Sequence, residues 1–224
     1  MRHCVREVVE ILFEDNHLLC LAKPAGLATQ VSPDNTDSLE TQAKAYIKRT
    51  YNKPGNVYLH AVHRLDKPTS GIVVFAKTSK ALSRMNELMR QGGLEKTYRA
   101  TVEGIVSTES GMLEHYLVHG DHKAYVSTKN DTLAKRCVLH FQVISRSENS
   151  SELEIRLETG RYHQIRAQLQ AIGHPIVGDR MYGAKKNWYH PDAIALHHSR
   201  LLFCHPVTGQ QIEINKANLE SMLK

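Results

Sequence analysis

The sequence has neither paired cysteines nor a long apolar segment, and each absence excludes a class of protein. Its four cysteines are far apart, unlike the close pairs of zinc sites and disulfide frameworks; they are Cys4, Cys20, Cys137 and Cys204. No apolar run approaches the length of a membrane span, and residues 1–10 contain no apolar signal core. The sequence therefore predicts a cytoplasmic protein with reduced thiols and no membrane association.

A strong charge imbalance is also absent. Lys and Arg total 29 against 23 Asp and Glu, which gives a net charge of +6 and a pI of about 9.1. This modest positive charge suits a polyanionic partner such as nucleic acid but does not identify one. The 224 residues, 41% of them apolar, suffice for one large domain with a buried core. We expect a short tail at residues 1–10 and a single domain at residues 11–224.

Apolar patterns predict more strands than helices. Apolar segments between turn residues predict strands at residues 10–14, 17–22, 71–76, 96–102, 133–145, 152–158, 195–203 and 210–214, with a turn-rich connection at 146–151. Helical spacing predicts two helices capped by Ser38 and Ser79, and a third that starts at Thr159-Gly160. Because the strands recur as neighbouring pairs, we expect an α+β fold: a largely antiparallel or mixed, bent sheet with flanking helices around a central cleft.

One charged cluster precedes the apolar strand at residues 71–76. It occupies residues 63–68 (HRLDKP), so an acid stands between basic residues at the entrance to a buried strand. Rigid scaffolds often present functional groups at such positions. A surface turn with local ion pairs would have the same composition.

A second cluster occupies residues 159–166 (TGRYHQIR), where a strand ends and a helix begins. His163, Arg166 and the following Gln170 stand at positions i, i+3 and i+7, so they should share one helix face beside an apolar stripe. Such a face can line a cleft, and it can equally be a solvated surface.

These clusters, with Lys96-Thr97-Tyr98 between them, resemble the RluA-type family of pseudouridine synthases. The Arg-Leu-Asp, Lys-x-Tyr and Thr-Gly-Arg-x-His-Gln-Ile-Arg elements occur in that order, and the similarity extends from Ile11 to Ile214. The resemblance implies a cofactor-independent RNA isomerase with a central RNA-binding cleft. It further suggests a compact form that lacks the N-terminal RNA-binding domain of many relatives, because few residues precede the first predicted strand.

The resemblance also implies roles for individual residues. Asp66 matches the catalytic aspartate, and Arg64 matches the arginine that replaces the flipped uridine in the RNA stack. Tyr98 matches the tyrosine that stacks on the target base and is a candidate for proton removal, and Arg166 matches the arginine that pairs with the aspartate. The same motifs supply further candidates for RNA binding and base flipping: His63, Arg161, His163 and Gln164.

The chemistry of uridine isomerisation requires the same kinds of residue. Breaking the bond between ribose and uracil needs a nucleophile at the anomeric carbon or a base for the neighbouring ribose proton, and a carboxylate such as Asp66 can be either. A guanidinium such as that of Arg166 favours the charged carboxylate and fixes its orientation. The released uracil must be held, and Tyr98 offers a flat ring for stacking.

Two other functions fit parts of the sequence. A non-catalytic RNA-binding module could retain the fold, but it has no need of a carboxylate that faces an anion. A metal-dependent nuclease or phosphotransferase would need clustered acids to bind Mg²⁺, whereas Asp66 stands beside basic residues. The 14 histidines show no metal-site spacing, so neither a metal nor a cofactor is expected.

Three further points depend on the tertiary structure. Asp179 either fixes local structure or orients Arg166 or another basic residue of the cleft. A phosphate track, with Trp188 and Tyr189 available for stacking, requires that its basic residues lie on the side of Asp66; they are Lys77, Lys80, Arg84, Arg90, Lys96, Arg99, Lys185 and Lys186. The expected partner is a stem-loop of transfer or ribosomal RNA, bound by a monomer.

Overall fold

The computed structural model describes residues 9–32, 36–187 and 190–216, and strands predominate there. The strands are β1 (Glu10–Glu14), β2 (Leu18–Lys23), β3 (His60–Ala61), β4 (Ser70–Ala76), β5 (Leu94–Glu103), β6 (Ser110–His119), β7 (Ala124–Ser127), β8 (Lys135–Ser147), β9 (Ser150–Leu157), β10 (Leu196–Cys204) and β11 (Gln211–Asn215). The helices are α1 (Leu39–Thr50), α2 (Ser79–Arg90) and α3 (Gln164–Ala171), and a 3₁₀ turn covers Arg180–Tyr182. The predicted α+β class is confirmed.

All these strands belong to one sheet. Their order is β1-β2-β4-β10-β5-β9-β8-β6-β7, with β3 beside β4 and β11 beside β10. Among the described strand pairs only β4 and β10 run parallel, so the sheet is mixed and largely antiparallel, as predicted. β-Bulges interrupt the register of β1, β8 and β10, and such bulges bend a strand and increase its twist.

The N-terminal part of the sheet is buried on both faces. Leu19 and Leu21 of β2 pack into the core cluster that holds the apolar sides of α1 and α3, whereas Leu18 and Cys20 pack into a second cluster under α2. Strands buried on both faces have continuous apolar sequences instead of alternating ones. This burial explains why β2 and β4 were recognisable from the sequence.

The short parallel contact between β4 and β10 brings the first cluster close to β5. Gly71 of β4 pairs with His198 of β10, and His198 in turn lies opposite Tyr98 of β5. Gly71 has φ +122°, and a Cβ there would collide with the His198 backbone. Glycine is therefore required at this crossing, which places the loop before β4 beside Tyr98.

Two of the three predicted helix starts need correction. Ser38 caps α1 as predicted, and its side chain accepts the Thr41 N–H. The cap of α2 is Thr78, whose hydroxyl accepts the Ala81 N–H at 3.1 Å, so the predicted Ser79 is the first helical residue instead. A threonine one position earlier satisfies the same free N–H groups.

The third helix begins at Gln164, five residues after the predicted Thr159. The Thr159 hydroxyl accepts the Val138 N–H at 2.9 Å and so ties the segment after β9 to β8. Helix α3 starts only after His163, which has a left-handed backbone with φ +52°. Gln170 is exposed, so the expected polar row of His163, Arg166 and Gln170 does not face one cleft.

Other differences concern the segments between strands. The connection predicted at residues 146–151 is only a two-residue turn, because β8 and β9 extend to Ser147 and from Ser150. Strands β6 and β7 were not predicted, since β6 is mostly half-buried or exposed and has too few apolar residues for a clear signal. Residues 1–8 of the expected tail lie outside the described residues, as do Trp188 and Tyr189, and Glu10 already belongs to β1.

Candidate active site

Asp66 lies in the loop between β3 and β4, and hydrogen bonds fix the loop around it. The Thr29 hydroxyl accepts the Leu65 N–H at 3.1 Å and donates to the Leu65 carbonyl oxygen at 3.0 Å. The Thr69 N–H donates to the Asp66 carbonyl oxygen at 3.0 Å and closes a turn over Pro68. The Asp66 side chain is 25% exposed, so the carboxylate is both anchored and accessible.

A buried ammonium holds the residue after Asp66. Lys23 at the end of β2 is fully buried, and its Nζ donates to the carbonyl oxygens of Pro24, Leu27 and Lys67 at 3.0, 2.6 and 3.1 Å. Burial lowers the pKa of Lys23 to about 7, and the charge of Asp66 opposes this fall. The sequence carries no signal for this burial, because a lysine at the end of a strand is ordinarily exposed.

Arg166 connects Asp66 to a second carboxylate, that of Asp179. Its Nε and Nη2 donate to the two Asp179 oxygens at 2.7 and 2.9 Å, and its Nη1 donates to Asp66 Oδ2 at 3.1 Å. Nη1 also donates to His163 Nε2 at 2.9 Å, and Nη2 contacts Met181 Sδ at 3.7 Å. All five guanidinium N–H groups therefore have an acceptor, which fixes the plane of the group. The sequence had left the role of Asp179 open, and its geometry is that of an orienting partner.

His163 holds Arg166 from the other side. Because Arg166 offers only donors, His163 Nε2 is an acceptor, and the proton is on Nδ1, which donates to the Tyr182 hydroxyl at 3.0 Å. That hydroxyl accepts the Ala124 N–H at 2.8 Å and donates to the Ala124 carbonyl oxygen at 3.3 Å. Burial lowers the pKa of His163 to about 4, so the ring is neutral at physiological pH. These bonds offset the roughly 1–2 kcal/mol that a left-handed backbone costs a residue other than glycine.

Tyr98 forms part of the buried wall beside Asp66. It is 6% exposed, and its ring stacks on His198 with centroids 4.6 Å apart and planes 20° apart. Burial, with a contribution from the charge of Asp66, raises the pKa of Tyr98 far above its usual value. The phenol is therefore protonated at neutral pH.

A cleft of about 590 Å³ adjoins this network. It is lined by Lys67 and Pro68 from the loop between β3 and β4, by Arg166, and by Asp179 with the residues after it. Its volume lies within the range of small-molecule binding sites.

The residues expected to contact RNA separate into two groups. Arg64 and Arg161 are exposed. His63 is buried, and its Nε2 accepts a backbone N–H of β4 at 3.3 Å. Gln164 is also buried, with both ends of its amide bonded within the fold, and the ring nitrogens of His163 are both engaged as described above. The structure therefore places His63, His163 and Gln164 inside the fold, where they support the site, and their expected RNA contact stays a prediction.

Neither a metal cluster nor a membrane helix is present in the part of the chain that the structure describes. No three His, Cys, Asp or Glu side chains there are grouped to hold a metal ion. None of the helices in these same segments is long and apolar enough to cross a membrane.

Comparison with known proteins identifies the family. The family model for RNA pseudouridylate synthase matches residues 17–171, a range that includes Asp66, Tyr98 and Arg166. The chain belongs to the RNA pseudouridylate synthase family. Pseudouridine synthases are isomerases, so the predicted family and enzyme class are confirmed.

Curated relatives match most of the chain. The "Ribosomal large subunit pseudouridine synthase D" of Zymomonas mobilis is 33% identical over 216 residues, which cover 92% of this chain and 68% of the relative. The "Dual-specificity RNA pseudouridine synthase RluA" of Haemophilus influenzae is 30% identical, with 92% of each chain covered.

A solved structure shows the same fold. "Human RNA Pseudouridylate Synthase Domain Containing 4" has a TM-score of 0.79 and 23% identity, and the match covers 96% of this chain and 90% of the human one. The α+β sheet described above is therefore the pseudouridine synthase fold.

Proposed function

We propose that this pseudouridine synthase isomerises a uridine in a stem-loop of transfer or ribosomal RNA, with Asp66 as the catalytic carboxylate. The observation that carries the proposal is the environment of Asp66. Its carboxylate is partly exposed, yet it accepts a hydrogen bond at 3.1 Å from a guanidinium whose other donors are all engaged. A reactive anion held by a rigid cation at the edge of a cleft is suited to attack a sugar.

The reaction needs only rearrangement of bonds within the substrate. Asp66 attacks C1′ of the ribose or removes the C2′ proton; in either case the C1′–N1 bond breaks and its electron pair stays on uracil. The uracil then turns and C5 bonds to C1′; this bond displaces the Asp66 carboxylate from C1′, or, if Asp66 had removed the C2′ proton, that proton returns to C2′. The C5 proton leaves, and N1 takes up a proton. Atoms and electrons balance without a redox partner.

Tyr98 is assigned to hold the uracil during this turn. Its ring face is a sequence-tolerant stacking surface, and the His198 ring behind it keeps it from rotating. Because its phenol is protonated at neutral pH, Tyr98 can accept the C5 proton only if it passes its own proton on in the same step. Asp66, whose charge acts on Tyr98, is the acceptor we assign.

Arg64 is assigned to replace the extruded uridine in the RNA stack. It is exposed two residues before Asp66, and no hydrogen bond or ion pair with a described residue holds it. An unrestrained cation beside the carboxylate can enter the vacated position and lower the cost of extrusion.

The RNA class and the setting are part of the same proposal. The name of the Zymomonas mobilis relative refers to the large ribosomal subunit, which favours ribosomal RNA among the expected targets. Asp66, Tyr98 and Arg166 all come from one chain, so we further propose a monomer that acts in the cytoplasm. Size-exclusion chromatography with light scattering tests the monomer.

Mapping of pseudouridines tests the proposal directly. Pseudouridines in total RNA are mapped in cells that lack the gene, that carry the wild type, and that carry Asp66→Asn. We expect at least one uridine to be modified only with the wild type, because the amide has nearly the same shape but is neither nucleophile nor base. Equal modification by the variant would remove Asp66 from the mechanism.

A further inference from the structure

A second groove, of about 750 Å³, shares no lining residue with the cleft beside Asp179. Three segments line it: the end of α2 with Arg90 and Gly92, the start of β5 with Leu94 and Lys96, and residues 156–161 at and after the end of β9. The roles proposed above do not use this groove.

Lys96 is the exceptional group in the groove. Its ammonium is mostly withdrawn from water, and this desolvation lowers the pKa of Lys96. Among the described residues, none forms a hydrogen bond or an ion pair with its Nζ. Lys96 is half-buried by its exposed fraction, whereas the fully buried Lys23 has three carbonyl acceptors. A buried cation without a partner costs free energy, and an anion that reaches it would remove that cost.

Lys96 also lies close to the catalytic residues. It precedes Tyr98 by two positions on β5, so the two side chains point to the same face of the strand. Its charge contributes to the lowered pKa of both His63 and His198, which are in contact with each other near Tyr98. On the other side its Nζ is 4.0 Å from the position that a Cβ would take at Gly160.

The surroundings of Lys96 are predominantly cationic. The groove is lined by three arginines in addition to Lys96, and by two carboxylates; they are Arg90, Arg156, Arg161, Glu95 and Glu158. Glu158 is already bonded to His140 at 3.2 Å, and Arg90 is paired with Glu87, so Lys96, Arg156 and Arg161 supply the uncompensated positive charge. Most other members of the basic track expected from the sequence are engaged elsewhere, as with Lys77 on Glu14 and Arg99 on Glu152 and Glu154.

We propose that this groove binds a phosphodiester of the RNA strand next to the target uridine, with Lys96 as its central ligand and Arg161 at its rim. This inference rests on the proposed function, because it extends the RNA site beyond the catalytic cleft. A phosphate carries the full negative charge that compensates a buried ammonium, whereas a uracil carbonyl does not. Long arginine side chains at the rim suit the same ligand.

The test uses Lys96→Met, which keeps the length of the side chain and removes its charge. Binding of a synthetic uridine-containing RNA stem-loop is measured at several KCl concentrations. We expect affinity at physiological salt to fall about tenfold, as for one charge-assisted hydrogen bond. The slope of log K against log[KCl] should become shallower by about 0.7 to 0.9, as for one lost phosphate contact. The urea midpoint of unfolding should rise, because a partnerless buried charge has been removed.

Lys80→Met is the matched control. Lys80 is an exposed cation in the first turn of α2, at the opposite end of that helix from the groove, and its loss should change the slope much less. Equal slopes for the two variants would overturn the inference. So would weaker binding at an unchanged slope, which would indicate a contact with uracil, or a lower unfolding midpoint, which would make Lys96 a structural residue.

Failure of the groove and failure of the proposed function are distinguishable. Binding and unfolding do not depend on turnover, so both can support the groove even if no pseudouridine is formed. If the wild type forms pseudouridine and Lys96→Met leaves the slope of log K against log[KCl] unchanged, only phosphate binding in the groove is refuted.

Discussion

Asp179→Asn should slow the chemical step without weakening RNA binding. Asp179 is 1% exposed, so it cannot contact RNA, and it receives two of the five N–H groups of Arg166 at 2.7 and 2.9 Å. The amide of the variant keeps one oxygen that can accept a hydrogen bond from Arg166. Its NH₂ group faces the second guanidinium donor and cannot accept from it. Arg166 would then turn toward Asp66, its remaining carboxylate at 3.1 Å.

The magnitudes follow from this loss. Removing one partner of a buried ion pair costs about 3–5 kcal/mol, and we expect the lower limit, about 3 kcal/mol, because Asp66 still compensates Arg166. A shift of about 1 Å in the guanidinium that positions the carboxylate should lower the single-turnover rate about 100-fold. The dissociation constant for RNA should stay within about threefold of the wild-type value, a difference smaller than 1 kcal/mol.

The assay follows loss of the proton that uracil gives up. RNA carrying tritium at C5 of uridine releases it to water only when C5 bonds to C1′, so release under single-turnover conditions reports the chemical step. Asp192→Asn is the control: an exposed carboxylate that lines the same cleft, with no bond from Arg166. A rate for Asp179→Asn within threefold of this control, measured well below its unfolding temperature, would refute the reasoning.

Other substitutions separate the remaining roles. Arg166→Lys keeps the charge but supplies at most three donors, so single-turnover rates should fall by about 100-fold or more while RNA affinity changes little. Arg64→Ala should slow reaction of a paired uridine more than that of a looped-out one; equal slowing on both stem-loops would contradict a role in extrusion. Tyr98→Phe should preserve uracil capture and slow tritium release, and an unchanged release rate would exclude the hydroxyl as the proton acceptor. Because burial lowers the pKa of His163 from 6.5 to about 4, only the unfolded chain takes up this proton between those pH values. Wild-type stability should therefore fall on acidification by up to about 1.4 kcal/mol per pH unit, and this part of the slope should be absent from urea unfolding of His163→Gln.

The sequence alone predicted those strands and helix starts that produce a recognisable pattern of residues over a short stretch of chain. Strands β2 and β4 are buried on both faces, and their continuous apolar runs predicted them. Ser38 predicted the start of α1 because a helix cap depends on residues only three positions apart. Strands β6 and β7 were missed because their exposure leaves no such pattern. The residues 63–68 and 159–166 marked the candidate site through their resemblance to a known family, whose model matches the chain.

Only the tertiary structure decided which of these residues are open to a ligand and which support the site from inside the fold. The bond between Arg166 and Asp66 joins positions 100 residues apart, and Lys23 reaches the Lys67 carbonyl across 44 residues, so no helical or strand periodicity encodes either contact. Burial also distinguished neighbouring basic residues to which the sequence had assigned the same role: Arg64 faces solvent, whereas His63 beside it is buried. Whether a polar residue faces RNA or supports the site depends on packing between distant segments, because packing determines which of its donors and acceptors remain open to a ligand.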